Sequence, residues 1–74
     1  MTVDEARAEL KSRKVTKSRL LDRRKPLKIK QLNGFLREDE RMRLDGIEAR
    51  LQDITQAIRE ARADLRAAMR EAEQ

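Results

Sequence analysis

From Leu44 onward, apolar residues return at alternating steps of three and four: Leu44, Ile47, Leu51, Ile54, Ile58, Ala61, Leu65, Ala68 and Ala72. That spacing places them on one narrow stripe of an α-helix and predicts a coiled-coil-like seam. With Leu44 at position a, Leu51, Ile58, Leu65 and Ala72 are also a residues, and Ile47, Ile54, Ala61 and Ala68 are d residues. Leucine at a with isoleucine at d leans away from parallel dimers toward higher-order assemblies, and alanine in the last heptads lets helices approach closely. Upstream of Leu44 the seam meets Glu40 and Arg37, and strict periodicity stops. The long amphipathic helix is predicted from about Phe35 to near the C-terminus, a stretch rich in good helix formers and free of proline. Its one weak residue is Gly46, at an outward position where glycine costs about 1 kcal/mol relative to alanine.

The N-terminal part is patterned differently. Thr2 and Glu5 have capping-box spacing, and Asp4 and Glu5 complement the positive end of a helix dipole, so a helix is predicted from about Val3. Its apolar face is Val3, Ala6 and Leu10. Arg13 or Lys14 and then Lys17 follow on that face, and the stripe ends after three turns, which predicts a helix that is short or else continues as a cationic rod. Thr16 and Ser18 offer caps for a second short helix carrying Leu20 and Leu21. Lys25-Pro26 predicts a boundary, because the residue before proline is pushed out of the α region. Leu27 to Leu32 alternates apolar and polar residues ahead of Asn33-Gly34, a hairpin signal, but the acid-rich segment beyond belongs to the opening turns of a helix. Asn33 is then the expected N-cap of the long helix. Residues 1–34 read as a short N-terminal helix with a basic linker segment broken at Pro26 and Asn33-Gly34. Residues 35–74 read as the heptad-containing helix, and the two form one all-α unit.

Charge changes the picture next. Ten residues between positions 11 and 30 are basic: Lys11, Arg13, Lys14, Lys17, Arg19, Arg23, Arg24, Lys25, Lys28 and Lys30. With Asp22 the only acid among them, this segment carries +9 and the rest of the chain −4. Solubility alone does not require such segregation. A cationic segment of this kind matches the charge of a nucleic-acid backbone, where each neutralised phosphate releases condensed counterions. Phe35 is the one aromatic residue and lies outside the basic run, which disfavours binding by base stacking. Lysine outnumbers arginine, which disfavours bidentate base reading, so the expected target is the backbone of duplex DNA or structured RNA with low sequence specificity. A basic stretch ahead of a zipper is the bZIP layout, but Pro26, Asn33 and Gly34 interrupt the continuous helix which that geometry needs.

Absences bound the rest. A chain of 74 residues is one domain, and it buries only about 60% of its unfolded surface. The alternative is that residues 35–74 fold back on the N-terminal segment of the same chain as a helical hairpin, but three turns of N-terminal stripe cannot cover a seam of eight turns, so self-association is expected ahead of it. Leu44, Ile47, Leu51, Ile54, Ile58, Ala61, Leu65 and Ala68 are its candidate interface, and a homo-oligomer is the expected state. Without cysteine or histidine there is no disulfide and no usual transition-metal ligand set, so neither metal nor cofactor is expected. Ser12 and Ser18 lie among cations with no general base nearby, which argues against an enzyme and against a small-molecule substrate. Glu38, Asp39 and Glu40 read as helix-terminal charges. No apolar run approaches the roughly 20 residues of a membrane span, and the N-terminus lacks a signal peptide's apolar stretch, so a cytoplasmic protein is expected, virion-associated if a phage carries it. Two functions from different classes follow. One is a non-catalytic helical oligomer that binds nucleic acid through the basic segment. The other is an assembly or regulatory adaptor of the phage or mobile-element type, docking on an acidic protein surface such as a polymerase or virion component.

Overall fold

The computed structural model describes residues 1–73; Gln74, the last residue of the expected long helix, lies outside them. Two helices make up the fold: α1, Val3–Leu32, and α2, Glu38–Glu73. No strand occurs among the described residues. Lys30 pairs with Glu40 next to the connection, while Met1 lies near Ala67 and Ala68 at the far end, so the helices run antiparallel. The hairpin measures 57 × 15 × 15 Å, one helix pair thick.

Local chemistry sets the ends. The Thr2 hydroxyl accepts the Glu5 backbone N–H at 3.1 Å and lies 3.2 Å from the Glu5 carboxylate, which fixes the start of α1 at the expected capping box. At its other end Asn33 is the C-cap and Gly34 has φ +76°, a left-handed conformation that favours glycine. The Phe35 N–H donates to the Lys30 carbonyl at 2.9 Å and the Gly34 N–H to the Gln31 carbonyl at 3.2 Å, the paired bonds of a Schellman motif. Asn33 therefore closes α1 instead of capping the long helix. That helix opens later, at Glu38, where the Arg37 carbonyl accepts the first helical bond from Arg41 at 2.8 Å.

The expected boundary at Pro26 is overturned, because α1 continues through it. Proline removes the bond to the Asp22 carbonyl and costs about 3 kcal/mol in a helix interior. Asp22 and Pro26 are both exposed, so water can reach that carbonyl. Burial of Leu20 and partial burial of Arg24 and Leu27, on either side of the proline, hold the helix together. The expected helix start at Thr16 and Ser18 is likewise absent: both lie inside α1, and the Thr16 hydroxyl donates to the Ser12 carbonyl at 3.2 Å.

The N-terminal helix is thus 30 residues long and not short. Its inward stripe keeps steps of three and four through Val3, Ala6, Leu10, Arg13, Lys17, Leu20, Arg24 and Leu27, all buried or half-buried. Arg13, Lys17 and Arg24 occupy seam positions and are half-buried, as long basic side chains can be when their aliphatic stems cover apolar surface and their charges reach water. The core comprises Ala6 and Leu20 of α1 with Leu44, Leu51, Ile58, Ala61 and Ala68 of α2. Ile47, Ile54 and Leu65 are half-buried, and Ala72 is exposed. The seam of α2 is therefore covered within its own chain. The premise that it needs a second copy fails, because α1 is about 45 Å long and spans most of it.

Candidate nucleic-acid interface

Helical periodicity divides α1 into a seam stripe, two flanking stripes and an outer stripe that carries Val15 and Asp22. Between Lys11 and Leu27 the seam stripe holds Arg13, Lys17, Leu20, Arg24 and Leu27. A second stripe holds Lys11, Lys14, Ser18, Leu21, Lys25 and Lys28, and a third holds Ser12, Thr16, Arg19, Arg23 and Pro26. Lysines dominate the second stripe and arginines the third. Because two helices side by side leave a furrow on each face, each flanking stripe forms one wall of a different furrow.

On the lysine side, Lys14, Lys17, Ser18 and Leu21 face Thr55, Ile58, Arg59 and Arg62 of α2 around a volume of about 470 Å³. No carboxylate lines it. The furrow continues toward the loop past Arg24, Gln52 and Gln56, where Glu48 is the one acid. Glu48 is engaged by Lys28 at 3.0 Å. Four cations and two hydroxyls around an acid-free furrow form a surface for anionic oxygens: ammonium groups act as point charges, guanidinium groups as forks, and hydroxyls as extra donors.

On the arginine side, Arg13, Arg19 and Arg23 face Arg50 across a floor of Leu20 and Ile54. Toward the loop Arg43 joins them, and the floor passes to Leu27 and Ile47. Asp53 is the only acid lining this furrow.

Of the ten cations expected to bind nucleic acid, three are taken by carboxylates. Arg13 holds Glu9 at 2.7 Å, Lys28 holds Glu48, and Lys30 holds Glu40 at 2.5 Å. Lys11, Lys14, Lys17, Arg19, Arg23, Arg24 and Lys25 make no ion pair among the described residues. The fold brings Lys14 and Lys17 together, sets Arg19 and Arg23 on the opposite furrow, and leaves Lys11 and Lys25 on the exposed lysine stripe. Sequence reasoning missed Arg50, Arg59 and Arg62, which α2 contributes across the furrows. They lie in a charge-balanced helix, and only the continuation of the α1 seam through Leu20 and Leu27 would have placed them beside the basic segment.

Lys30 is engaged within the fold by Glu40. Glu40 is 4% exposed, the only charged residue that is buried among the described residues. Its carboxylate is held at a pKa of about 2, first by the hydrogen bond from Lys30, against the opposing effect of burial, and further by the backbone N–H and guanidinium of Arg37. Those Arg37 bonds measure 3.4 and 3.2 Å.

No helix among the described residues is long and apolar enough to cross a membrane. Among the same residues, no group of three or more His, Cys, Asp or Glu side chains is placed to hold a metal ion. Comparison with protein-family models, curated proteins and solved structures finds no match to this chain.

Proposed function

We propose that this hairpin is a non-catalytic nucleic-acid-binding element that holds the backbone of duplex DNA or structured RNA along its lysine-side furrow. The observation that carries this reading is the acid-free lining of Lys14, Lys17, Arg59 and Arg62, with Ser18 and Thr55 between them. Lys11 and Lys25, on the same stripe of α1, extend the cationic surface over about 22 Å of helix, enough to meet several successive phosphates. Backbone contact positions a protein without reading sequence, and a surface with no aromatic side chain among these residues suits that mode. One hairpin is sufficient for this, since its own α1 covers the seam. Assembly of several hairpins on one nucleic acid would raise the affinity through effective concentration.

The test is a salt titration of binding to a duplex DNA and to a stem-loop RNA, read by fluorescence anisotropy. Affinity is expected to fall steeply with salt and to be lost when Lys14, Lys17, Arg59 and Arg62 are all replaced by glutamine. Absent or salt-independent binding at low ionic strength, or full binding by that variant, overturns the proposal.

A further inference from the structure

Leu21 and Ile58 line part of the lysine-side furrow, but on the arginine side the apolar floor is longer, running from Ala57, Ile54 and Leu20 to Leu27 and Ile47. Ile47, Ile54, Leu27 and Ala57 are only half-buried, and they line this side of the hairpin. A phosphate backbone gains little from so long an apolar floor, whereas the nonpolar face of a helix can lie along it. We infer that this furrow is the docking site for an acidic amphipathic helix of a partner protein, which lies between α1 and α2 as the third member of a bundle.

Three features select that occupant. The rims are cationic, with Arg19 and Arg23 on one side and Arg50 on the other, none of them in an ion pair among the described residues, against the single Asp53. Guanidinium forks match carboxylates in paired geometry, so glutamates or aspartates flanking an apolar stripe meet both rims at once. Gly46 also lines the furrow, and a side chain built there meets nothing within 4 Å, so the backbone of a third helix can come close. The arginine-bearing stretch from Arg13 to Leu27 is about 22 Å long, four turns of helix, which suits anchors at i, i+3, i+4 and i+7. A second copy is disfavoured as the occupant: its net-acidic α2 already has Leu44, Leu51 and Ile58 buried against its own α1. Face-to-face pairing would set these arginines against the same arginines, and insertion of another α1 would bring in a helix with eleven basic and four acidic residues. The inference does not rest on the nucleic-acid reading, which uses the opposite face.

The test uses the full chain and a synthetic peptide of roughly 18 residues, five turns, with leucine at i, i+3, i+4 and i+7 and glutamate on both flanks. One control peptide has the same composition in scrambled order, and another has lysine in place of glutamate. The acidic amphipathic peptide is expected to bind about tenfold tighter than the scrambled one. It should turn helical on binding and shift the amide NMR signals of Gly46, Ile54 and Ala57 while leaving those of Ser18 and Thr55 in place. Arg23→Glu with Arg50→Glu should weaken it about tenfold as well. So should Gly46→Gln, which places a side chain in the furrow and favours the helix, so that loss of binding cannot be loss of fold. Lys14→Glu with Arg59→Glu should leave it nearly unchanged. Equal binding of the scrambled peptide would reduce the effect to net charge and overturn the proposal. Signal shifts confined to the lysine-side furrow, displacement of the peptide by duplex DNA, or a dimer of the chain that shields Gly46 and Ile54 would overturn it too.

Discussion

Glu40 meets Lys30 across the turn of the hairpin: its carboxylate, otherwise buried, takes the lysine ammonium at 2.5 Å and joins the end of α1 to the start of α2. Arg37 completes the clamp from the loop side, its backbone N–H donating to the other carboxylate oxygen. This is half of a capping box, with the glutamate reaching back from the first turn of α2 to the residue that precedes the helix.

The clamp gives a pH dependence of definite sign. Unfolded, Glu40 takes its proton near the ordinary value of 4.5, whereas folded it resists protonation down to about 2. Between those values the unfolded state binds more protons, so the stability this carboxylate supplies is complete above pH 4.5 and declines as pH falls, until it is gone below 2. Thermal melts followed by circular dichroism between pH 7 and pH 2 should show it. Glu40→Gln should lower Tm at pH 7 and flatten the acid limb relative to the parent. Parallel curves for the two proteins would remove Glu40 from the clamp.

Pro26 is expected to be a net cost to the hairpin. Replacing it with alanine restores the N–H that bonds the Asp22 carbonyl, worth up to about 3 kcal/mol. For a domain of this size each kcal/mol raises Tm by roughly 4 to 8 °C. A melt of Pro26→Ala checks the sign directly. A lowered Tm would mean that the proline shapes a bend which packing on α2 requires.

How far the fold could be read in advance follows from which residues occupy the seams. In α2 every seam position from Leu44 to Leu65 is apolar, so periodicity alone marked the inward face, and Leu44, Leu51, Ile58 and Ala61 are indeed buried. In α1 the same spacing persists, but Arg13, Lys17 and Arg24 interrupt its apolar residues. A reading that equates seam with nonpolar side chains ends the stripe at Leu10, although long basic side chains can cover an interface with their stems. Pro26 adds a local signal for a helix end, which the packing of Leu20 and Leu27 on either side of it outweighs. The candidate site divided in the same way. The concentration of cations was visible, but its separation into a lysine face and an arginine face exists only once α1 is one continuous helix.

Intrachain pairing makes its own demand on mutants. Leu44 is 2% exposed, and its truncation to alanine is expected to cost about 2 to 5 kcal/mol, a large share of the stability of so small a domain. Met42, 70% exposed, should tolerate alanine within about 0.5 kcal/mol. Urea titrations separate the two. Leu51→Asp sharpens the point, because in a hairpin it should abolish helicity at any protein concentration. Dissociation to a still helical chain would instead place the seam between copies.

Gly46 should show the opposite sign. It is exposed in the middle of α2, with open space where a side chain would extend, so Gly46→Ala should stabilise the hairpin by about 0.5 to 1 kcal/mol. The substitution adds one methyl group to the wall of the arginine-side furrow and nothing to the lysine side. Nucleic-acid affinity should therefore stay constant while Tm rises, measured on the same preparation. A fall in nucleic-acid affinity would place that ligand in the arginine-side furrow.

The lysine-side furrow makes a quantitative demand on salt dependence. Each phosphate neutralised on duplex DNA contributes about −0.9 to the slope of log K against log salt. If Lys14, Lys17, Arg59 and Arg62 each hold one, the intact chain should show a slope near −4 or steeper, with Lys11 and Lys25 adding to it. Arg59→Gln alone should make the slope shallower by about 0.9 and weaken binding to different duplex sequences by the same factor, since a backbone contact carries no base information. Arg19→Gln, on the opposite furrow and also exposed, should leave the slope almost unchanged. Equal losses from the two variants would mean that the cation cloud acts as a whole, without a phosphate track along the Lys14–Arg62 face.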